Sequence, residues 1–84
     1  MDFLTETMLL RKANQDIDAG KARIERQKAI VLELEASGHD IESAIALLKS
    51  LQGALMAMQQ HRLFIRDRID DLRRRKTRDR GAAS

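Results

Sequence analysis

Two histidines, His39 and His61, are the residues of this chain best suited to acid–base chemistry or metal binding. If both lie on or beside one helix, a rise of 1.5 Å per residue separates them by roughly 30 Å, so they cannot share a ligand within one chain. The Glu-x-x-His motif of di-iron helical bundles is absent from the sequence. We therefore expect surface or interface histidines and no metal or cofactor site, with metal binding across a dimer axis as the remaining alternative.

The serines and carboxylates form no catalytic pattern either. Ser37, Ser43 and Ser50 have no histidine partner at a recognisable spacing, and the chain has no cysteine and no glycine-rich phosphate loop. The sequence accordingly predicts a protein that is not an enzyme.

The arginines towards the end of the chain are the strongest charge feature. Residues 62–80 contain nine Lys and Arg against four Asp, whereas the rest contains seven against nine acids. The candidate phosphate contacts are Arg73, Arg74, Arg75, Lys76, Arg78 and Arg80. A solvated helix end explains these charges, and contact with nucleic acid or an anionic membrane surface is the functional alternative. Because the chain has only two aromatic residues, base stacking is not expected.

These side chains are positioned by two long helices that meet at a turn, Ser37-Gly38-His39-Asp40. Gly38 can adopt the left-handed conformation that ends a helix, and Asp40 can cap the next one. The chain contains no proline. We predict an all-α antiparallel hairpin, with a helix over 3–37, the turn over 37–40, a helix over 41–76 and a basic, partly disordered tail over 77–84.

Heptad repeats set the register of this hairpin. The first helix has the columns Phe3, Leu10, Ile17, Ile24, Val31 and Glu6, Ala13, Gly20, Gln27, Leu34. The second has Ile41, Leu48, Leu55, Arg62, Ile69 and Ala44, Leu51, Met58, Ile65, Leu72. Folding about Gly38 places Gly20 opposite Leu55 and Ala13 opposite Arg62. Arg62 is expected to pair with Asp16 or Asp18, with an anion site inside the bundle as the alternative.

The facing heptad columns of the two helices form an apolar seam, and further apolar residues beside these columns widen it near the turn. Four of them form the predicted oligomer interface: Ile30, Ile45, Leu47 and Ala54. Since a broad apolar face needs more helices, we expect a homodimeric four-helix bundle or an unknown protein partner. The predicted function is protein–protein interaction or scaffolding through coiled-coil packing, and the alternative is a small nucleic-acid-associated protein that uses the basic segment.

The N-terminal residues lack the basic and apolar regions of a signal peptide, and no apolar run is long enough to span a membrane. A cytoplasmic protein is therefore expected.

Four short segments on both sides of the turn form one set: Arg23-Ile24-x-x-Gln27, Ser37-Gly38-His39-Asp40, Ala44-x-x-Leu47-Leu48 and His61-Arg62. In these segments the chain resembles a group of short bacterial helical proteins of uncharacterised activity. These proteins share a Gly-His-Asp turn and a His-Arg pair late in the second helix. The resemblance covers about residues 10–70. It implies a hairpin and a bacterial cytosolic origin, and it implies no activity or cofactor.

Overall fold

The protein is a hairpin of two long helices, α1 (Phe3–Ala36) and α2 (Glu42–Ala83), that pack antiparallel. This computed structural model describes the backbone of residues 2–83 and the side chains of residues 2–75. The hairpin is 72 Å long and 15 Å across in both other directions. The all-α antiparallel hairpin predicted from the sequence is confirmed.

Helix α2 extends past the predicted end at Lys76 and continues to Ala83. The segment after Lys76 contains no proline, and its arginines and alanines are good helix formers, so nothing in it forces the helix to stop. The side chains of Lys76, Arg78 and Arg80 lie outside the described residues, as does Ser84. The predicted disorder of the tail stays a prediction.

The turn contains the glycine-terminated helix end expected from the sequence. Gly38 has a φ of 75°, in the left-handed region. The His39 N–H donates to Leu34 O at 2.9 Å and the Gly38 N–H donates to Glu35 O at 3.1 Å, the two hydrogen bonds of a Schellman motif. They satisfy carbonyls at the end of α1 that would otherwise lack partners.

Aspartates cap both helix starts. The Asp2 carboxylate accepts the Thr5 N–H at 2.7 Å, and the Asp40 carboxylate accepts the Glu42 N–H at 3.0 Å. The bond from Thr5 lowers the pKa of Asp2 below its usual 3.8. The stability that the Asp2 cap contributes is therefore fully present above pH 3.8, and it is lost as the pH falls through the lowered pKa of Asp2.

The residues that α1 buries all belong to its predicted heptad columns. Its buried residues are Glu6, Ala13, Ile17, Gly20, Ile24 and Gln27, all from the two predicted columns. Gly20 lies against Leu55 and Met58, as the predicted register requires. Burial is uneven along the seam, because Ile65 and Ile69 of α2 are buried whereas Leu48, Leu51 and Leu55 are only half-buried. The best-packed part is thus the half remote from the turn, where Ala13, Ile65 and Ile69 pack with Leu10.

Gly20 provides a test of the register. A Cβ built at Gly20 lies 3.5 Å from Leu55 Cδ1, an ordinary van der Waals distance. We expect Gly20→Ala to raise the free energy of unfolding by about 1 kcal/mol, since alanine is the better helix former. Gly20→Leu should lower it by roughly 1–3 kcal/mol because the longer side chain overpacks the seam. Urea unfolding followed by circular dichroism measures both; a stabilising leucine would show that Gly20 does not face α2.

Candidate interaction surfaces

Three side-chain hydrogen bonds connect α1 to α2 among the described residues, each at a different height. Near the turn, the Gln27 amide Nε2 donates to Ala44 O at 2.9 Å. In the middle, Arg62 donates to Asn14 Oδ1 at 3.1 Å. Near the open end of the hairpin, which is the end opposite the turn, Arg68 donates to Glu6 Oε2 at 3.1 Å. Such contacts between heptad-column polar residues and the facing helix favour one register over a shifted one.

The partner of Arg62 differs from the one predicted. Its guanidinium bonds to Asn14 and not to Asp16 or Asp18. Asp16 instead faces Lys12 one turn earlier, at 3.8 Å on an exposed part of α1. The Nε atom of Arg62 is buried without a hydrogen-bond partner, so a neutral amide oxygen takes only part of its donor capacity.

Glu6 is the polar residue whose environment the sequence did not predict. Its side chain is fully buried and pairs with Arg68, which is 42% exposed. One oxygen, Oε1, is buried without a hydrogen-bond partner. The heptad pattern placed Glu6 opposite Ile69, one position from Arg68, so the pair could have been found by examining the residues that flank the facing column.

The predicted oligomer interface is partly assembled in the structure. Ile30 and Leu47, from opposite helices, line one shallow groove of about 260 Å³ together with Arg23, Arg26, Gln27 and Leu51. Ile45 is half-buried and Ala54 is exposed. By heptad position, Ile45 lies on the other edge of the seam, so the four residues flank the seam on both sides.

The basic segment makes contacts within the chain where its side chains are described. The Arg73 guanidinium lies over the Phe3 ring, 5.4 Å from its centroid. Arg75 pairs with Asp71 at 3.0 Å, and Arg74 is exposed. Two of the predicted phosphate contacts are therefore already engaged with neighbouring side chains.

The two histidines lie apart from each other, His39 in the turn and His61 in α2. His39 and His61 are both exposed. Among the described residues no group of three or more His, Asp or Glu could hold a metal ion.

Large apolar side chains are exposed well beyond the turn. Those at the open end are Phe3, Leu4, Met8 and Leu9, and those in the middle of α2 are Met56, Leu63 and Phe64. Met8 and Leu9 line an open depression of about 590 Å³ on one face of α1. For the group in the middle of α2, the sequence showed only that these apolar residues lie outside the heptad columns.

No known protein family, curated protein or solved structure matches this chain. The resemblance to short bacterial helical proteins therefore stays a prediction. Within the part of the chain that the structure describes, neither helix has an apolar stretch long enough to cross a membrane.

Proposed function

We propose that this protein is a non-enzymatic interaction module that self-associates through its helices, forming a dimeric four-helix bundle that serves scaffolding or regulation. The four predicted interface residues make up the turn-end surface: Ile30, Leu47 and Ala54 lie on one edge of the seam, along which the second copy packs, and Ile45 lies on the other edge.

The observation that supports this proposal best is the amount of surface the hairpin exposes. Its accessible surface is 6658 Å². A compact monomer of its mass, 9.6 kDa, would expose roughly 5,100 Å². The excess of about 1,600 Å² is larger than the 800 Å² or so that one partner buries in a standard interface.

Half-buried seam residues indicate where that surface should be covered. Leu48, Leu51 and Leu55 belong to the apolar columns of α2, yet α1 covers each of them only in part. Ile30 and Leu47 extend the same apolar strip outward, and each is more than 40% exposed. A second hairpin laid along this strip completes the burial that two helices alone do not provide.

Light scattering on a sizing column tests the proposal. The wild-type chain at tens of micromolar should elute as a dimer or larger species, and Ile30→Glu with Leu47→Glu should reduce its mass at least twofold. Leu32→Glu is the matched control, because Leu32 is an equally apolar, 66% exposed residue of α1 away from the seam. A helical, monomeric wild type would rule out self-association.

Nucleic-acid association through the basic segment is the second proposal and has less support. The segment belongs to a continuous helix, but Arg73 and Arg75 contact Phe3 and Asp71 of the same chain. Phosphate binding would have to displace or share these contacts, which lowers the net gain from each arginine.

A further inference from the structure

The outer face of α2, on the side away from α1, carries a second apolar surface in the middle of the helix. Met56, Leu63 and Phe64 are 69%, 57% and 55% exposed. Gly53, Ala57 and Gln60 recur between them at helical spacing, so no charged residue interrupts this face. Lys49 and Asp67 bound it at the two ends. We call these six uncharged residues the outer face of α2.

Gly53 lies within this face and has no packing role in the hairpin. A Cβ built there would meet nothing within 4 Å, in contrast to the close approach of Leu55 at Gly20. A glycine in a helix interior is destabilising relative to alanine. Contacts inside the hairpin do not explain why this position lacks a side chain. The glycine leaves a notch in the outer face one helical turn before Met56, with Leu63 and Phe64 about two turns beyond Met56.

The notch and the apolar groups are arranged so that the face complements itself. When two copies of α2 cross antiparallel about a two-fold axis, residues equally far from the axis on its two sides meet. Phe64 then lies over Gly53, Met56 meets Leu63, and Lys49 approaches Asp67. The midpoints of all three pairs fall between positions 58 and 60. One axis therefore matches large with small, apolar with apolar and cation with anion.

We propose that the outer face of α2 is a second self-association surface, which takes the same face of another copy in antiparallel orientation. This surface lies apart from the turn-end surface and goes beyond the proposed dimer. A chain with two such two-fold surfaces assembles into tetramers or longer arrays. The exposed area agrees, since the excess of about 1,600 Å² is about twice the area that one partner buries in a standard interface.

The charges on this side of α2 favour a second copy over a lipid surface. Asp67 continues the outer face towards the open end, and an anionic bilayer would repel it. Against another copy, Asp67 instead meets Lys49, and Gln60 near the axis can hydrogen-bond to its own counterpart.

Two substitutions test this surface by opposite means. Phe64→Glu places a charge in the contact, whereas Gly53→Leu fills the notch with a residue that favours the helix. Both should lower the mass measured by light scattering twofold, from tetramer to dimer, without loss of helical circular dichroism. Leu32→Glu serves again as the control and should leave the mass unchanged.

The outcomes separate this proposal from the proposed dimer. If Phe64→Glu and Gly53→Leu leave the mass unchanged while Ile30→Glu with Leu47→Glu lowers it, the outer face is not a self-association surface and the turn-end dimer stands. If only the outer-face variants lower the mass, the turn-end surface fails and the second surface stands. Combining Phe64→Glu with the turn-end pair should give monomers; a wild type that is already monomeric overturns both proposals.

Discussion

Ile17→Ala is expected to lower the free energy of unfolding by about 2–5 kcal/mol, the range for truncating a large buried aliphatic side chain. Ile17 is fully buried in the seam. A small helical domain has roughly 3–5 kcal/mol of stability in total, so this single change should leave much of the chain unfolded at room temperature. Urea titration followed by circular dichroism, at one fixed chain concentration, measures the loss.

Leu32→Ala is the control for Ile17→Ala. It also removes a large aliphatic side chain from α1, but Leu32 is 66% exposed. Its expected effect is within about 0.5 kcal/mol, as for surface substitutions in general. Similar losses for the two variants would mean that Ile17 does not lie in the interface between the helices.

Arg68→Met is expected to lower the free energy of unfolding by about 3 kcal/mol, the low end for breaking a buried ion pair. The reason is that it leaves the Glu6 carboxylate, which is fully buried, without its cation. The low end applies because Arg68 itself is 42% exposed, and water already screens part of the interaction. Methionine keeps much of the apolar stem of arginine, so lost packing contributes little.

The companion variants show whether the charge is responsible. Adding Glu6→Leu to Arg68→Met should restore stability to near or above that of the wild type, because an apolar pair of similar volume replaces the ions. Arg75→Met breaks an ion pair with Asp71 in which both side chains are about half-exposed or more, and it should cost less than about 1 kcal/mol. If Glu6→Leu fails to rescue Arg68→Met, the stability lost with Arg68 came from packing.

Local patterns predicted the backbone of this protein well, for identifiable reasons. Glycine commonly ends a helix and aspartate commonly caps the start of one, so Gly38 and Asp40 together located the turn. The seven-residue spacing of Leu10, Ile17 and Ile24 specified which side of α1 faces α2. Once the turn was placed, chain geometry alone brought Gly20 to Leu55.

Side-chain partners were harder to predict than the register. Arg62 bonds to Asn14 and not to Asp16 because of the side-chain rotamers and the side of the seam on which each residue lies. The heptad columns specify neither of these. The Glu6–Arg68 pair was missed because it joins residues far apart in sequence, one in the seam and one beside it. The end of α2 was misplaced because a run of arginines carries no stop signal of its own.

The position of the best-packed region has a consequence for how the chain folds. Ala13 and Ile65 meet remote from the turn, so an unfolded chain would have to close a loop of about 50 residues to bring them together. A hairpin that grows from Gly38 brings them together through short closures, each following from the one before, but its early contacts are the half-buried ones near the turn. The entropic barrier is therefore crossed before the strongest contacts form. The half near the turn thus lowers the entropic cost of bringing the helices together, and the half remote from the turn supplies the best-packed contacts of the folded hairpin.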